Sequence, residues 1–272
     1  MKWGPLQRAF IRFCEAAGAI AFMLGVRRTV ALDNLRRAFP ASTESERRQL
    51  ARAAYVQLGR SLAEIILVRR LSDAQVESLV RFEGWDRYQA AAAQGRGVVC
   101  AVAHFGNFEL LSRAVARKGV QLSVIVRNLG DAFGRWLYAG RGMSGVRNLP
   151  DKSASKEALL ALRRGEVLAI AVDQNMRPSR GIFVDFFGAP ACTTPAAAVY
   201  ALRAGAPLLA AFPLRQSDGT HVVRVRGPFT SAEKGHAAVA DLTQQLTRAV
   251  EEMARERPDH WFWVHRRWKT RP

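Results

Sequence analysis

His104 and Glu109 are the two side chains whose types and spacing could move a proton. They stand in the string VAHFGNFEL, His104 just past an apolar run and Glu109 five residues on. On one continuous helix, positions five apart point roughly 140° away from each other. The two can converge only if the chain turns between them, and Gly106 and Asn107 are residues that turn a chain and start a helix. The spacing therefore predicts a strand, a turn and a helix, with His104 at the carboxyl end of the strand, where ligands of open α/β sheets gather. A neighbouring carboxylate holds an imidazole in one tautomer and raises its basicity. The pair would serve as a general base toward a hydroxyl or an amine. Alone, H-x-x-x-x-E is a short string that also fits a surface histidine near a helix start, so its weight depends on its surroundings.

Those surroundings read as an α/β fold: a single domain with a mostly parallel or mixed central sheet flanked by helices. From Gly97 onward, apolar runs alternate with amphipathic stretches. GVVCAVA, QLSVIVR, EVLAIAVD, PLLAAFPLR and HVVRVRGPF read as strands, IFVDFFG as a further one, and the segments between them as helices. Residues 1–85 read as a helical N-terminal extension packed on the main domain, and residues 86–272 as that domain. Apolar residues recur at spacings of three and four over Arg27–Phe39 and Glu44–Val68, with Pro40 and Ser42 as break and cap between them. Near the start, Ala16–Val26 is uncharged for 11 residues, well short of the roughly 20 that a spanning helix requires. Arg27 and Arg28 follow with no small-x-small cleavage site, so a helix lying in a membrane interface fits better than a secretory signal. An ordinary core helix is the alternative.

Lys and Arg total 41 against 23 acidic residues, a net charge of +18. Such a surface favours anionic partners but does not choose among them. Cys14, Cys100 and Cys192 are widely spaced and form no C-x-x-C, which argues against a zinc ribbon or a disulfide framework. Gly140–Gly145 spells G-x-G-x-x-G but follows a helix rather than a strand, so it is no dinucleotide site. Ser144 lacks the second glycine of a nucleophile elbow, and the scattered Asp and His residues make no metal site. The ending WFWVHRRWKTRP interleaves Trp261, Trp263 and Trp268 with basic residues. That pattern suits a membrane interface, anionic head groups or nucleic acid, and equally a final strand with its aromatics turned inward.

Three blocks give the His/Glu string its context: RGIFVDFFG (Arg180–Gly188), then TTPAAAVYALRAG, then the Trp-rich ending. With NLRRAFP (Asn34–Pro40) and HFGNFE they make the chain resemble the lipid A biosynthesis acyltransferase family from about Arg27 to Pro272. That family holds the late lauroyl and myristoyl transferases, with phosphatidylinositol mannoside acyltransferases as relatives. The resemblance implies that His104 and Glu109 are a catalytic pair, with Arg141 and Asp173 as further catalytic positions. Arg141 would stabilise an oxyanion or an acceptor phosphate, with backbone amides near Gly106 as another source of oxyanion donors, and Asp173 would position Arg141 or another cation; for both Arg141 and Asp173 a structural ion pair is the equal alternative. Arg127, Asn107 and Gln174 are the candidates for holding substrate, Asn107 mainly as turn and cap. The implied reaction moves a fatty acyl group from acyl carrier protein or acyl-CoA to a hydroxyl of an anionic lipid, with no cofactor and no covalent acyl-enzyme. The implied place is the cytoplasmic face of the bacterial inner membrane, held peripherally or monotopically. A lysophospholipid, ornithine lipid or phosphatidylinositol mannoside is an alternative acceptor. A nucleic-acid-binding protein would explain the charge and the ending but leaves HFGNFE and FVDFFG unexplained.

Overall fold

A computed structural model describes residues 3–126, 132–151 and 154–272. Helix α1 (Pro5–Met23) opens on a proline, and α2 (Arg28–Ala38) follows a break at Gly25. Helix α3 (Glu44–Val68) starts at Thr43, whose hydroxyl accepts from the Glu46 amide while the Glu46 carboxylate accepts from the Thr43 amide at 2.6 Å. This reciprocal cap satisfies two otherwise orphaned donors, and Ser72 and Gln75 repeat it at α4 (Asp73–Leu79). Strand β1 (Val80–Glu83) and helix α5 (Trp85–Ala92) come next. Alternation then runs β2 (Val98–Val102), α6 (Phe108–Arg117), β3 (Leu122–Val126), α7 (Ala132–Met143), β4 (Arg147–Pro150), α8 (Ala154–Arg163) and β5 (Val167–Ala171). A hairpin of β6 (Ile182–Phe186) and β7 (Ala189–Thr193) is followed by α9 (Ala196–Ala204), β8 (Leu208–Arg215), β9 (His221–Phe229) and α10 (Gly235–Glu256).

Seven strands form one mixed sheet in the order β1-β9-β8-β2-β5-β3-β4, and β6 with β7 stands apart from it. Pairing is parallel except between β8 and β9. Both faces are covered. Val99 and Ala101 of β2 pack with Leu162 of α8 and Ala201 of α9, whereas Val98 and Cys100 pack with Ala91 of α5 and Val115 of α6. Double coverage explains why the central strands read as unbroken apolar runs. The sheet corrects one sequence expectation: β1 lies inside the segment read as helical. Four residues are too few to display a period, and pairing with β9 makes Val80–Glu83 a strand.

The N-terminal helices pack on this body. Helices α1 and α3 approach so closely that a Cβ on Gly18 would lie 2.2 Å from the Tyr55 carbonyl oxygen, and one on Gly59 would lie 2.1 Å from that of Cys14. Trp3 ties the start of the chain down by donating to the Gly219 carbonyl at 3.1 Å. The outer side of α1 stays apolar: Leu6, Phe13 and Ile20 recur at seven-residue steps and are exposed, as are Met23, Leu24 and Val26. Leu58 and Leu62 of α3 are exposed as well. Among the described residues no single helix is long and apolar enough to cross a membrane. The pair α1 and α2 together passes by length and composition, with an 86° bend between them.

Candidate active site

Parallel register sets the centre of the site. Val102 of β2 pairs with Ala171 of β5, so His104 and Asp173, each two residues beyond, leave adjacent strand ends side by side. Asp173 Oδ1 lies 2.8 Å from His104 Nδ1. Asp173 Oδ2 accepts from the His104 backbone amide at 2.8 Å and from Trp261 Nε1 at 3.0 Å. A carboxylate at Nδ1 places the ring proton there and leaves the lone pair on Nε2. Gln174 Nε2 sits 3.2 Å from His104 Nε2, a donor facing that lone pair. Asp173 is 2% exposed and His104 31%. Burial alone would raise the Asp173 carboxyl, but the charge and hydrogen bonds of His104, with the nearby Arg267 guanidinium, hold it below the ordinary range. Arg267 is itself fully buried, donating to the Cys192 carbonyl at 2.9 Å and to the Thr193 hydroxyl.

The predicted strand–turn–helix is present. Gly106 takes φ +55°, and a Cβ there would lie 2.2 Å from the Pro213 carbonyl oxygen, so the turn demands glycine on both counts. Asn107 Oδ1 then caps α6 by accepting from the Leu110 amide at 2.9 Å. The carboxylate on His104 Nδ1, however, comes from Asp173 rather than Glu109. Glu109 faces α7, where both its oxygens receive Arg141 Nε, at 2.9 and 3.0 Å, and Oε1 also receives a terminal guanidinium nitrogen. Both residues are buried. The first turn of α6 directs Glu109 away from the β2–β5 seam, and the seam supplies His104 with Asp173 instead. Of the two partners expected for Asp173, Arg141 or another cationic group, its hydrogen bonds go to His104. The Gly106 amide, expected near an oxyanion, donates to the His260 carbonyl at 3.1 Å. Asn107 is wholly buried, which makes it a cap rather than a substrate contact. Arg127 lies outside the described residues.

Of the readings open for the Trp-rich ending, the inward one holds: Trp261, Trp263 and Trp268 are buried, although the segment forms no regular strand. Trp261 meets Trp263 edge to face at 4.5 Å and Phe186 at 5.4 Å. The FVDFFG block thus carries the aromatic bed on which the ending rests. Asn34 Nδ2 holds that ending from the other side, donating to the Trp263 and His265 carbonyls at 2.7 Å each. His265 Nε2 accepts the Asn175 amide at 2.9 Å and so pins the loop after Asp173; burial pushes His265 down to about 4. Aromatic residues alternating with basic ones were the available signal for these contacts.

A cavity of about 340 Å³ opens at His104. Apolar side chains dominate its wall, among them Leu58, Leu62, Ile65, Phe108, Leu137 and Phe262. That volume lies in the range of small-molecule sites. Leu58 and Leu62 belong both to this wall and to the exposed apolar side of α3. Among the described residues no group of His, Cys, Asp and Glu side chains is placed to hold a metal ion. The three cysteines are free, and burial pushes each thiol upward, which disfavours a thiolate nucleophile.

Comparison with known proteins identifies the family. Residues 5–270 match the family described as bacterial lipid A biosynthesis acyltransferase. The chain is 27% identical to the lipid A biosynthesis lauroyltransferase of Escherichia coli K12, over 88% of this chain and 78% of that protein. It is 25% identical to the palmitoleoyltransferase of the same organism, over 90% and 80% of the two chains. It is 22% identical to the corresponding myristoyltransferase, over 89% and 75%.

Proposed function

Because the chain belongs to the bacterial lipid A biosynthesis acyltransferase family, and is therefore an acyltransferase, we propose that it moves a fatty acyl group from a thioester to a hydroxyl of a lipid A precursor, with His104 as general base. One observation carries the reading: a histidine with its Nδ1 committed to a buried carboxylate lines an apolar cavity of about 340 Å³.

The steps follow from the geometry. The acceptor hydroxyl takes the place at Nε2 now held by the Gln174 amide. As its oxygen attacks the thioester carbonyl, its proton passes to Nε2, and the Asp173 carboxylate stabilises the imidazolium. Collapse of the tetrahedral intermediate breaks the carbon–sulfur bond, and the departing thiolate takes the proton back. Gln174, displaced from Nε2, remains beside the hydroxyl and holds it. Glu109 and Arg141 form a buried ion pair that fixes α6 against α7 and so sets the cavity wall at Phe108 and Leu137. Their role is to hold the site, while His104 and Asp173 do the proton chemistry.

The donor is acyl carrier protein or acyl-CoA, and both are anionic, as is the acceptor. The +18 charge suits all three. We place the enzyme on the cytoplasmic face of the inner membrane, with the exposed stripe of α1 shallow in the bilayer and Arg8, Arg12 and Arg27 beside it. Each such basic residue near an anionic leaflet contributes about 1 kcal/mol.

The test is acyl transfer in detergent micelles from both donors to a lipid A precursor, to lysophospholipid and to a phosphatidylinositol mannoside. Transfer to the lipid A precursor, abolished in folded His104→Ala, is the expected result. Turnover confined to another acceptor would overturn the acceptor assignment, and a fully active His104→Ala would overturn the mechanism.

A further inference from the structure

We infer that Trp261 is a positioning residue for the acyl transfer: its indole N–H fixes the Asp173 carboxylate in the orientation that holds His104 as a base. This rests on the proposed roles of His104 and Asp173. A carboxylate just past a strand end can turn about two side-chain bonds. Here Oδ2 receives two donors from distant segments, the His104 amide at 2.8 Å and Trp261 Nε1 at 3.0 Å. Two donors on one oxygen define the carboxylate plane and leave Oδ1 aimed at His104 Nδ1, 2.8 Å away.

The indole is itself held on several sides. Trp263 and Phe186 pack against its ring at 4.5 and 5.4 Å. Its backbone bridges Phe105, the residue after His104. The segment that carries the base and the segment that supplies the donor to its partner are therefore joined directly. The N–H also draws charge from the carboxylate. Without it the carboxylate attracts the imidazolium more strongly, and His104 keeps its proton to a higher pH. Trp261 also forms part of the cavity wall. Replacement by Phe keeps an aromatic wall and removes the N–H, so the two contributions separate.

The experiment compares wild type, Trp261→Phe, Asp173→Asn and the double variant in kcat, KM and pH dependence, with thermal unfolding as the folding check. Trp261→Phe is expected to lower kcat about 10-fold, the order of one hydrogen bond to a charged group, with KM nearly unchanged. Its acid limb should move to higher pH, a change that a loosened fold would not produce. On top of Asp173→Asn the same substitution should remove less than about a further twofold, since both act through one carboxylate. Wild-type kcat and an unmoved acid limb in Trp261→Phe, beside a crippled Asp173→Asn, would overturn this inference alone. A full additional loss in the double variant would do the same. Wild-type activity in Asp173→Asn would overturn the His104–Asp173 reading and this inference with it. A readout that needs no Trp261 variant is the indole spectrum of 15N-tryptophan-labelled wild type. One indole proton must titrate together with the acid limb, and the absence of any such signal also counts against the inference.

Discussion

Asp173→Asn exchanges one oxygen for an NH2 group at constant size, and the surrounding donors dictate where that group goes. The Oδ2 position faces two N–H groups, those of the His104 backbone and Trp261. An NH2 there would oppose both, so the amide oxygen must take that place and the NH2 must take the Oδ1 place, 2.8 Å from His104 Nδ1. A donor at that point forces Nδ1 to accept. The ring proton moves to Nε2, and the atom facing the acceptor hydroxyl loses its lone pair. General base catalysis is worth about 10²–10⁴-fold, and the same tautomer error in a Ser-His-Asp triad costs about 10⁴-fold in kcat. A fall of roughly 10³-fold in kcat is expected, with KM within about threefold of wild type because the cavity wall is untouched. Arg267 loses a compensating negative charge nearby, so a modest drop in melting temperature accompanies it. The assay is single-turnover transfer of a labelled acyl group to a lipid A precursor, with melting measured on the same sample. A folded Asp173→Asn that retains more than about a tenth of wild-type kcat would refute the argument, since the wrong tautomer cannot act as a base.

Glu109→Gln separates holding from chemistry. It strands the buried Arg141 charge, and breaking such a pair costs about 3–5 kcal/mol. Differential scanning calorimetry should show a melting temperature lower by about 5–9 °C. Below the transition, kcat should stay within about 10-fold of wild type because the His104–Asp173 pair is intact. His265 supplies a pH signature. Folding holds it down at about 4, below its ordinary value, so it is bound neutral. Its contribution is complete above its unfolded value of about 6.5 and is lost as pH falls toward 4, when a protonated Nε2 can no longer accept the Asn175 amide. Melting temperature should therefore decline over that window, and His265→Gln, which keeps an acceptor that does not titrate, should flatten the decline; a flat wild-type profile would contradict it. On the face proposed to meet the bilayer, Phe13 and Leu24 are 70% and 76% exposed. Phe13→Asp with Leu24→Asp should cut recovery with phosphatidylglycerol vesicles in flotation by at least about 10-fold, given about 1.5–3 kcal/mol per apolar side chain withdrawn. Unchanged recovery would move the contact elsewhere.

The alternation of strands and helices was legible because double coverage writes each central strand as an apolar run, and HFGNFE announced its turn through Gly106 and Asn107. The partner of His104 was not legible from spacing. Asp173 lies far along the chain, and only the parallel register of β2 with β5 brings the two together. A nearby carboxylate such as Glu109 attracts the eye because sequence shows local distance alone. The inward turn of the three tryptophans was one of the readings the alternation allowed, but what receives them was hidden for the same reason: the Phe186 bed and the Asn34 strap both come from elsewhere in the chain. Strand β1 was missed because its four residues take their conformation from β9.

The dependence of Asp173 on Trp261 and Arg267 also fixes an order of events during synthesis. Trp261 follows Asp173 by 88 residues, which at ribosomal speeds of about 5–20 residues per second is roughly 4–18 s. Until that interval has passed, the carboxylate has neither its indole donor nor its guanidinium neighbour. The orientation of Asp173 is thus completed only after Trp261 and Arg267 have been made. A chain stalled before residue 258 carries His104 and Asp173 without Trp261 and Arg267, so under the proposed mechanism its base would lack the contacts that orient it.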